Sequence, residues 1–464
     1  MATLLSELFD DLSPGEKQSA SEWLNCGIHN SRAEIARLFD HLIDQAELGI
    51  VVHPETAYHA ALPTKEFSKA RWAKLQHGLL DCLEDFLAYR EFKSREEDYR
   101  MSLLRVYRQR GLERHQQTRL NRYQSKPSTD FPASADHFWY TYHLDRMAYG
   151  LSSANRRTAK NDLLEQEESL LRALLASKLR QACESLAYLR LFKADYEVPL
   201  LEELLLLAPA FSEPGIRLFY LSVLLYRPET EDVDTVFMEL KSGIETYIED
   251  FPASDRRNLL VLAINHCLRQ SNAGRTGYYR EALDLYQLGV REKILFERGQ
   301  LGIFTFNNII AIALKLEEPD WAEDFLETNA RRLPEDYRTE VESLNRARLA
   351  FHRKDYNATL DFLQTADYRD FIHHMSARVM QLKIFYERDN FNLLTSHIRS
   401  SRSLLHRKRN VGYHQRNYLN IFTLTDRLLR LAPNDQEARE KLRRQIEETE
   451  PCTEKTWLIE QCQV

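Results

Sequence analysis

FTFNNIIAIALKLEEPDWAEDFLETNARRLP, residues 304–334, decides the reading of the whole chain. Phe306, Ile309, Ile310, Ala313 and Leu314 or Leu316 recur at helical spacing, Glu317-Glu318-Pro319 interrupts them, and Trp321, Ala322, Phe325 and Leu326 resume the pattern. Apolar residues three and four apart make one face of a helix, so the stretch predicts two short amphipathic helices folded back on each other. Pro319 suits the first position of the second helix, where its missing N–H leaves no bond unmade, and Leu333-Pro334 ends it. Small Ala313 and Ala322 let the two helices approach closely.

Large, small and aromatic residues at fixed places in a 34-residue helix pair define the tetratricopeptide pattern. A unit beginning at Ile303 is similar to it: Phe306 stands for the usual Trp, Ile309-Ile310 for Leu-Gly, and Ala322, Leu326 and Pro334 for the Ala, Phe and Pro of the second helix. The Gly is missing and Ala313 replaces Tyr. A second unit from Glu340 carries Ala347, Ala350, the turn Lys354-Asp355-Tyr356, Thr359 and Leu363, and a third from Met375 carries Leu382, Phe385, the turn Arg388-Asp389-Asn390-Phe391, Leu394 and Ile398. No such pair buries its apolar stripe alone; stacking buries it. The expectation is an all-α chain: a helical N-terminal domain over 1–124, a linker with two prolines over 125–136, and an α-solenoid of antiparallel helix pairs over 137–464.

Composition narrows the function classes. Only 14 of 464 residues are Gly, about 3% against the usual ~7%, which disfavours sheet-rich or nucleotide-loop enzymes. GxxxxGK[ST], GxGxxG, HExxH and GxSxG are all absent, so no phosphate cradle, zinc-protease helix or hydrolase elbow is written here. His352-Arg353-Lys354-Asp355 imitates a kinase catalytic loop but falls at a repeat turn, and adjacent His373-His374 point to different sides of a helix, with no third ligand spaced to them. The expectation is therefore a non-enzymatic protein without cofactor or metal; an enzyme would need a site in the aromatic stretch His137-Phe138-Trp139-Tyr140. The start of the chain lacks a basic n-region and a long apolar core, no run approaches the roughly 18 apolar residues of a membrane helix, and six cysteines are scattered without metal spacing. A reduced, cytoplasmic location with no membrane partner follows as an expectation.

Charge supplies one anomaly. The chain carries a net charge of -7, yet residues 100–126 hold eight Arg or Lys against the single acid Glu113, a local balance of +7. Arg105, Arg108, Arg114, Arg119 and Arg122 form the candidate patch for nucleic acid or an acidic partner. The plainer alternative is a solvated face whose arginines pair with acids elsewhere in the chain. A second basic stretch spans Arg399 to Arg416, in which Arg402, His406 and Arg409 can share a helix face, and charge near a helix C-terminus is its plain explanation.

The segments Asn265-His266-Cys267, Phe306-Asn307-Asn308, Asp320-Trp321-Ala322-Glu323-Asp324-Phe325, Asp355-Tyr356 and Leu404-Leu405-His406-Arg407-Lys408 occur with Leu12-Ser13-Pro14 and Leu38-Phe39-Asp40. With them the chain resembles an uncharacterised tetratricopeptide-like helical-repeat family of Bacteroidota. The resemblance carries no activity and hence no catalytic residues. It implies that the first helix of each pair lines a concave face, which places Asn307, Lys315, Arg348, His352 and Lys383 there. All can donate hydrogen bonds. Such a groove suits a peptide's carboxylates or main chain, so the expected function is a protein-interaction scaffold, with a nucleic-acid-binding or regulatory protein using 100–126 as the alternative.

Overall fold

In a computed structural model of the chain, the residues described are 3–126, 131–155, 160–192, 196–227, 229–407, 412–432 and 435–463. Among them the only strands are two-residue segments, Phe296–Glu297 paired antiparallel to Gln300–Leu301, and the rest of the regular structure is helical. The helices divide into two compact units. One comprises Met1–Tyr220 with Glu249–Phe251, and the other Leu221–Ile248 with Pro252–Val464. The stretch 125–136 falls inside the first unit, and residues 127–130 lie outside the described residues.

The first unit contains α1 (Leu4–Asp11), α2 (Pro14–Asn25), α3 (Ala33–Glu47), α4 (Pro54–Ala61), α5 (Lys69–Ser94), α6 (Glu96–Gln109), α7 (Glu113–Ser125), α8 (Ala135–Asn155), α9 (Lys160–Phe192) and α10 (Leu201–Leu207). Ser13 caps α2 as its sequence predicts: its side chain accepts from the Glu16 N–H, Glu16 returns the bond, and Pro14 stands first in the helix. Leu24, Leu38, Phe39, Tyr58, Leu79 and Leu83 close a core over α2–α5. A separate core of Met101, Leu104, Leu120, Tyr123, Tyr140 and Leu144 joins α6, α7 and α8. Residues 159–195 suggest two helices, but 160–192 form the one helix α9, because no Gly or Pro interrupts it. The boundary between the units falls within α11 (Pro214–Leu224).

The second unit continues with α12 (Val233–Tyr247), α13 (Ala253–Asn272), α14 (Tyr278–Arg291), α15 (Ile303–Lys315), α16 (Pro319–Asn329), α17 (Glu335–His352), α18 (Tyr356–Gln364), α19 (Phe371–Glu387), α20 (Phe391–Arg407), α21 (Gly412–Leu429), α22 (Gln436–Glu448) and α23 (Lys455–Gln463). Neighbours in sequence pack as pairs: α13 on α14, α15 on α16, α17 on α18, α19 on α20 and α22 on α23. In addition α17 packs on both α15 and α19. The opening stretch folds as read: α15 stops at Lys315, Glu317 takes a positive φ of 58°, and Pro319 starts α16. Later boundaries shift, with α17 starting at Glu335 and α19 at Phe371 where the unit starts were placed at Glu340 and Met375.

Candidate functional site

Five side chains from three of these helices meet in the second unit. Asn307 comes from α15, Glu340, Asn345 and Arg348 from α17, and His373 from α19. Glu340, Asn345 and His373 are no more than 4% exposed. Buried polar groups persist only when hydrogen-bonded, and these are bonded in series. The series has a fixed polarity. Arginine only donates, so the Arg348 guanidinium, 2.9 Å from Asn345 Oδ1, assigns that atom as acceptor. Asn345 Nδ2 then donates to the Val341 carbonyl at 2.8 Å and to Asn307 Oδ1 at 2.6 Å. Asn307 Nδ2 is left to donate to His373 Nε2 at 2.7 Å. The His373 proton consequently sits on Nδ1, which donates to Glu340.

The far end is equally occupied. Glu340 also accepts the backbone N–H groups of Arg369 at 2.9 Å and Asp370 at 3.3 Å. Asp370 caps α19 by accepting from Ile372 and His373 at 2.8 and 3.0 Å. Glu340, Asp370 and His373 have potential ligand atoms within 4.8 Å of one another, the spacing of a metal site. The donor set does not fit one. The His373 nitrogen facing the carboxylates carries a proton, and freeing it would place the Nε2 proton against the Asn307 amide donor. A cavity of about 340 Å³, lined by Glu335, Asp336, Thr339, Asp367 and Arg369, opens beside Glu340.

Arg348 forms the other end. It is half-buried, and among the described residues no carboxylate lies within ion-pair distance of it. Burial pulls its guanidinium below the ordinary arginine range, while Tyr418, Glu454 and Tyr368 act in the opposite sense. Of the sequence-predicted groove residues, Asn307 and Arg348 therefore come together in one network. The other three hold separate partners. Lys315 donates to the Tyr279 hydroxyl at 2.9 Å and lies over its ring, His352 pairs with Glu317 at 3.2 Å, and Lys383 pairs with Glu454 at 2.7 Å while covering the Phe351 ring. Glu340, Asn345 and His373 are additions to the predicted set. For Glu340 and Asn345 the signal was present in the sequence, as polar residues interleaved with Val341, Leu344 and Ala347 ahead of Arg348.

The basic segment folds as the hairpin of α6 and α7, turned at Gly111 with a φ of +68° that favours glycine. Arg105, Arg108, Arg110, Arg114 and Arg122 are exposed, and Arg119 is half-buried. Arg100 is structural: it is buried, pairs with Glu96 at 2.6 Å, donates to the Lys126 carbonyl and covers Tyr123. In the aromatic stretch, Phe138 and Tyr140 are buried and Trp139 donates to Ser177 at 2.9 Å, so these rings pack α8. Of the second basic stretch, residues 408–411 lie outside the described residues.

Fold and site together define an all-helical protein with packed neighbouring helix pairs and a buried polar relay across three of them. Comparison with family models, curated proteins and solved structures gives no match. No helix among the described residues is long and apolar enough to cross a membrane.

Proposed function

We propose that the chain is a non-enzymatic protein-interaction scaffold whose second unit is a tetratricopeptide-like solenoid that takes a carboxylate-bearing peptide or protein partner. Arg348 carries the reading. Its guanidinium is oriented by Asn345 and Asn307, stands where α17 packs between α15 and α19, and meets no carboxylate of the chain among the described residues. A positioned guanidinium with N–H groups to spare binds carboxylates through charge-assisted hydrogen bonds, and prior orientation lowers the entropy lost on binding. Lys315, His352 and Lys383 already have partners, so they support the walls of the site and leave the anchoring to Arg348. Six free cysteines, dispersed through the fold, suit a reducing compartment such as the cytoplasm.

The test is crosslinked capture from the native lysate, comparing wild type with Arg348→Gln and with Thr339→Ala as a control, each checked for an unchanged melting curve. A protein enriched on wild type and control but reduced ten-fold or more on Arg348→Gln is the expected result. Equal recovery on all three removes Arg348 from the function.

A further inference from the structure

The α6–α7 hairpin presents arginines that, Arg100 apart, meet no carboxylate among the described residues. Elsewhere in the chain arginines reach carboxylates: Arg172 meets Glu213, Arg353 meets Glu323 at 2.7 Å, and Arg443 meets Glu440 at 2.9 Å. Among the described residues, Arg105, Arg108, Arg110, Arg114 and Arg122 meet none, in a chain whose net charge is -7. Among the described residues, then, the plainer explanation of such a run, pairing with acids folded in from elsewhere, does not hold for these five. The charge also extends beyond the hairpin. Exposed Arg146 of α8 adds to it, and burial together with Arg105 and Arg146 holds His143 below the ordinary imidazole range.

Holding like charges together on a rigid hairpin is unfavourable unless an anion answers them. Leu104 of α6 and Leu120 of α7 are fully buried, so packing fixes both helices and the arginines ride on a set frame. Guanidinium forks match phosphate oxygens in pairs, and arginine planes stack on bases. The rings of Tyr107 and His115 lie 5.6 Å apart and tilted by 46° among these arginines, so a single ring face, not the pair, is what a base can stack on.

We propose that the α6–α7 hairpin binds the phosphate backbone of a nucleic acid, with Arg105, Arg108 and Arg114 as its principal contacts. Each phosphate contact releases condensed counterions, so binding weakens with salt at a log–log slope of about −0.7 per contact for single strands and about −0.9 for duplex. This interaction lies in the first unit, and its outcome is independent of the one proposed for Arg348.

The experiment is fluorescence anisotropy of the full chain with a labelled single-stranded RNA of about 20 nucleotides and with a duplex of the same sequence, between 50 and 200 mM salt. Wild type is compared with the triple variant Arg105→Glu, Arg108→Glu, Arg114→Glu and with the corresponding Lys variant, and the two nucleic-acid arms identify the strand form. The Glu variant is expected to lose affinity at least ten-fold and to flatten the slope by about 2 units for single strands. The Lys variant, which keeps charge, is expected to keep the slope. No binding by wild type at 50 mM salt, a Glu variant within two-fold of wild type, or a Lys variant with a flattened slope overturns the proposal. So does binding confined to phosphatidylserine vesicles, the outcome that exposed Val106 and Leu112 beside the arginines would produce at a membrane surface.

Discussion

His373 donates from Nδ1 to Glu340 in a site where their side chains are 2% and 4% exposed. Glu340 is simultaneously the acceptor for the N–H groups of Arg369 and Asp370, so one side chain holds α17 to the start of α19.

Glu340→Ala removes all three acceptor roles at once, leaving the buried His373 Nδ1–H and the part-buried N–H groups of Arg369 and Asp370 without this partner. Each unsatisfied buried group costs roughly 1–3 kcal/mol, so we expect the variant to lose about 3 kcal/mol or more of stability. Urea unfolding followed by circular dichroism measures this. A loss below about 1 kcal/mol would mean that water replaces the carboxylate without penalty.

The polarity imposed by Arg348 is a separate expectation, visible without mutation. In ¹⁵N spectra the His373 ring should show a protonated Nδ1 and a bare Nε2. Asn345→Leu deletes one of the two groups that orient Asn307 and should cost about 2 kcal/mol, while the hydrogen bond to Glu340 keeps the ring proton on Nδ1. A bare Nδ1 in the wild-type spectrum would contradict the donor order at Asn307, His373 and Glu340 and reopen the metal reading of Glu340, Asp370 and His373.

Local signals explain which parts of this arrangement are legible in the sequence. Ser13-Pro14-Gly15-Glu16 and Glu317-Glu318-Pro319 encode a helix start and a helix break through contacts within four residues, and both fold as read. The resemblance to tetratricopeptide-like repeats, which implies that first helices share a face, put Asn307 and Arg348 in one set. It gave no means of finding their partners, since Asn307 meets His373 across 66 residues and Lys383 meets Glu454 across 71. The same limit governs the basic segment. A charge count of 100–126 measures the cations but is silent on whether distant carboxylates fold onto them, and only the assembled helices show that, among the described residues, none reaches Arg105, Arg108, Arg110, Arg114 or Arg122.

Acid sensitivity should come in part from His397. Burial, with a smaller effect of Arg378, lowers its pKa from 6.5 to about 4, and the ring nitrogen Nε2 donates to the Arg378 carbonyl at 2.8 Å. The folded-state pKa lies below the unfolded one, so between those values the unfolded chain binds more protons. Stability from this group is full above about pH 6.5 and falls as pH drops toward 4, by about 3 kcal/mol in total. His397→Gln, which keeps a donor for Arg378, should flatten the unfolding free energy across that window. An unchanged slope would remove His397 as the titrating group.

Packing gives the last prediction. Gly289 of α14 lies where a Cβ would come within 2.5 Å of a Leu260 methyl on α13 and 2.6 Å of Leu295. Both leucines are buried, at 0% and 4% exposure, so neither can swing into solvent. Gly→Ala in an exposed helix interior stabilises by up to about 1 kcal/mol through helix propensity, whereas overpacking a filled core costs about 1–3 kcal/mol. The two contacts, each far inside van der Waals distance, make the second effect the larger. Gly289→Ala should therefore lower the melting temperature. A single variant as stable as wild type would show that α13 and α14 can separate, against the close helix pairing on which the second unit is built.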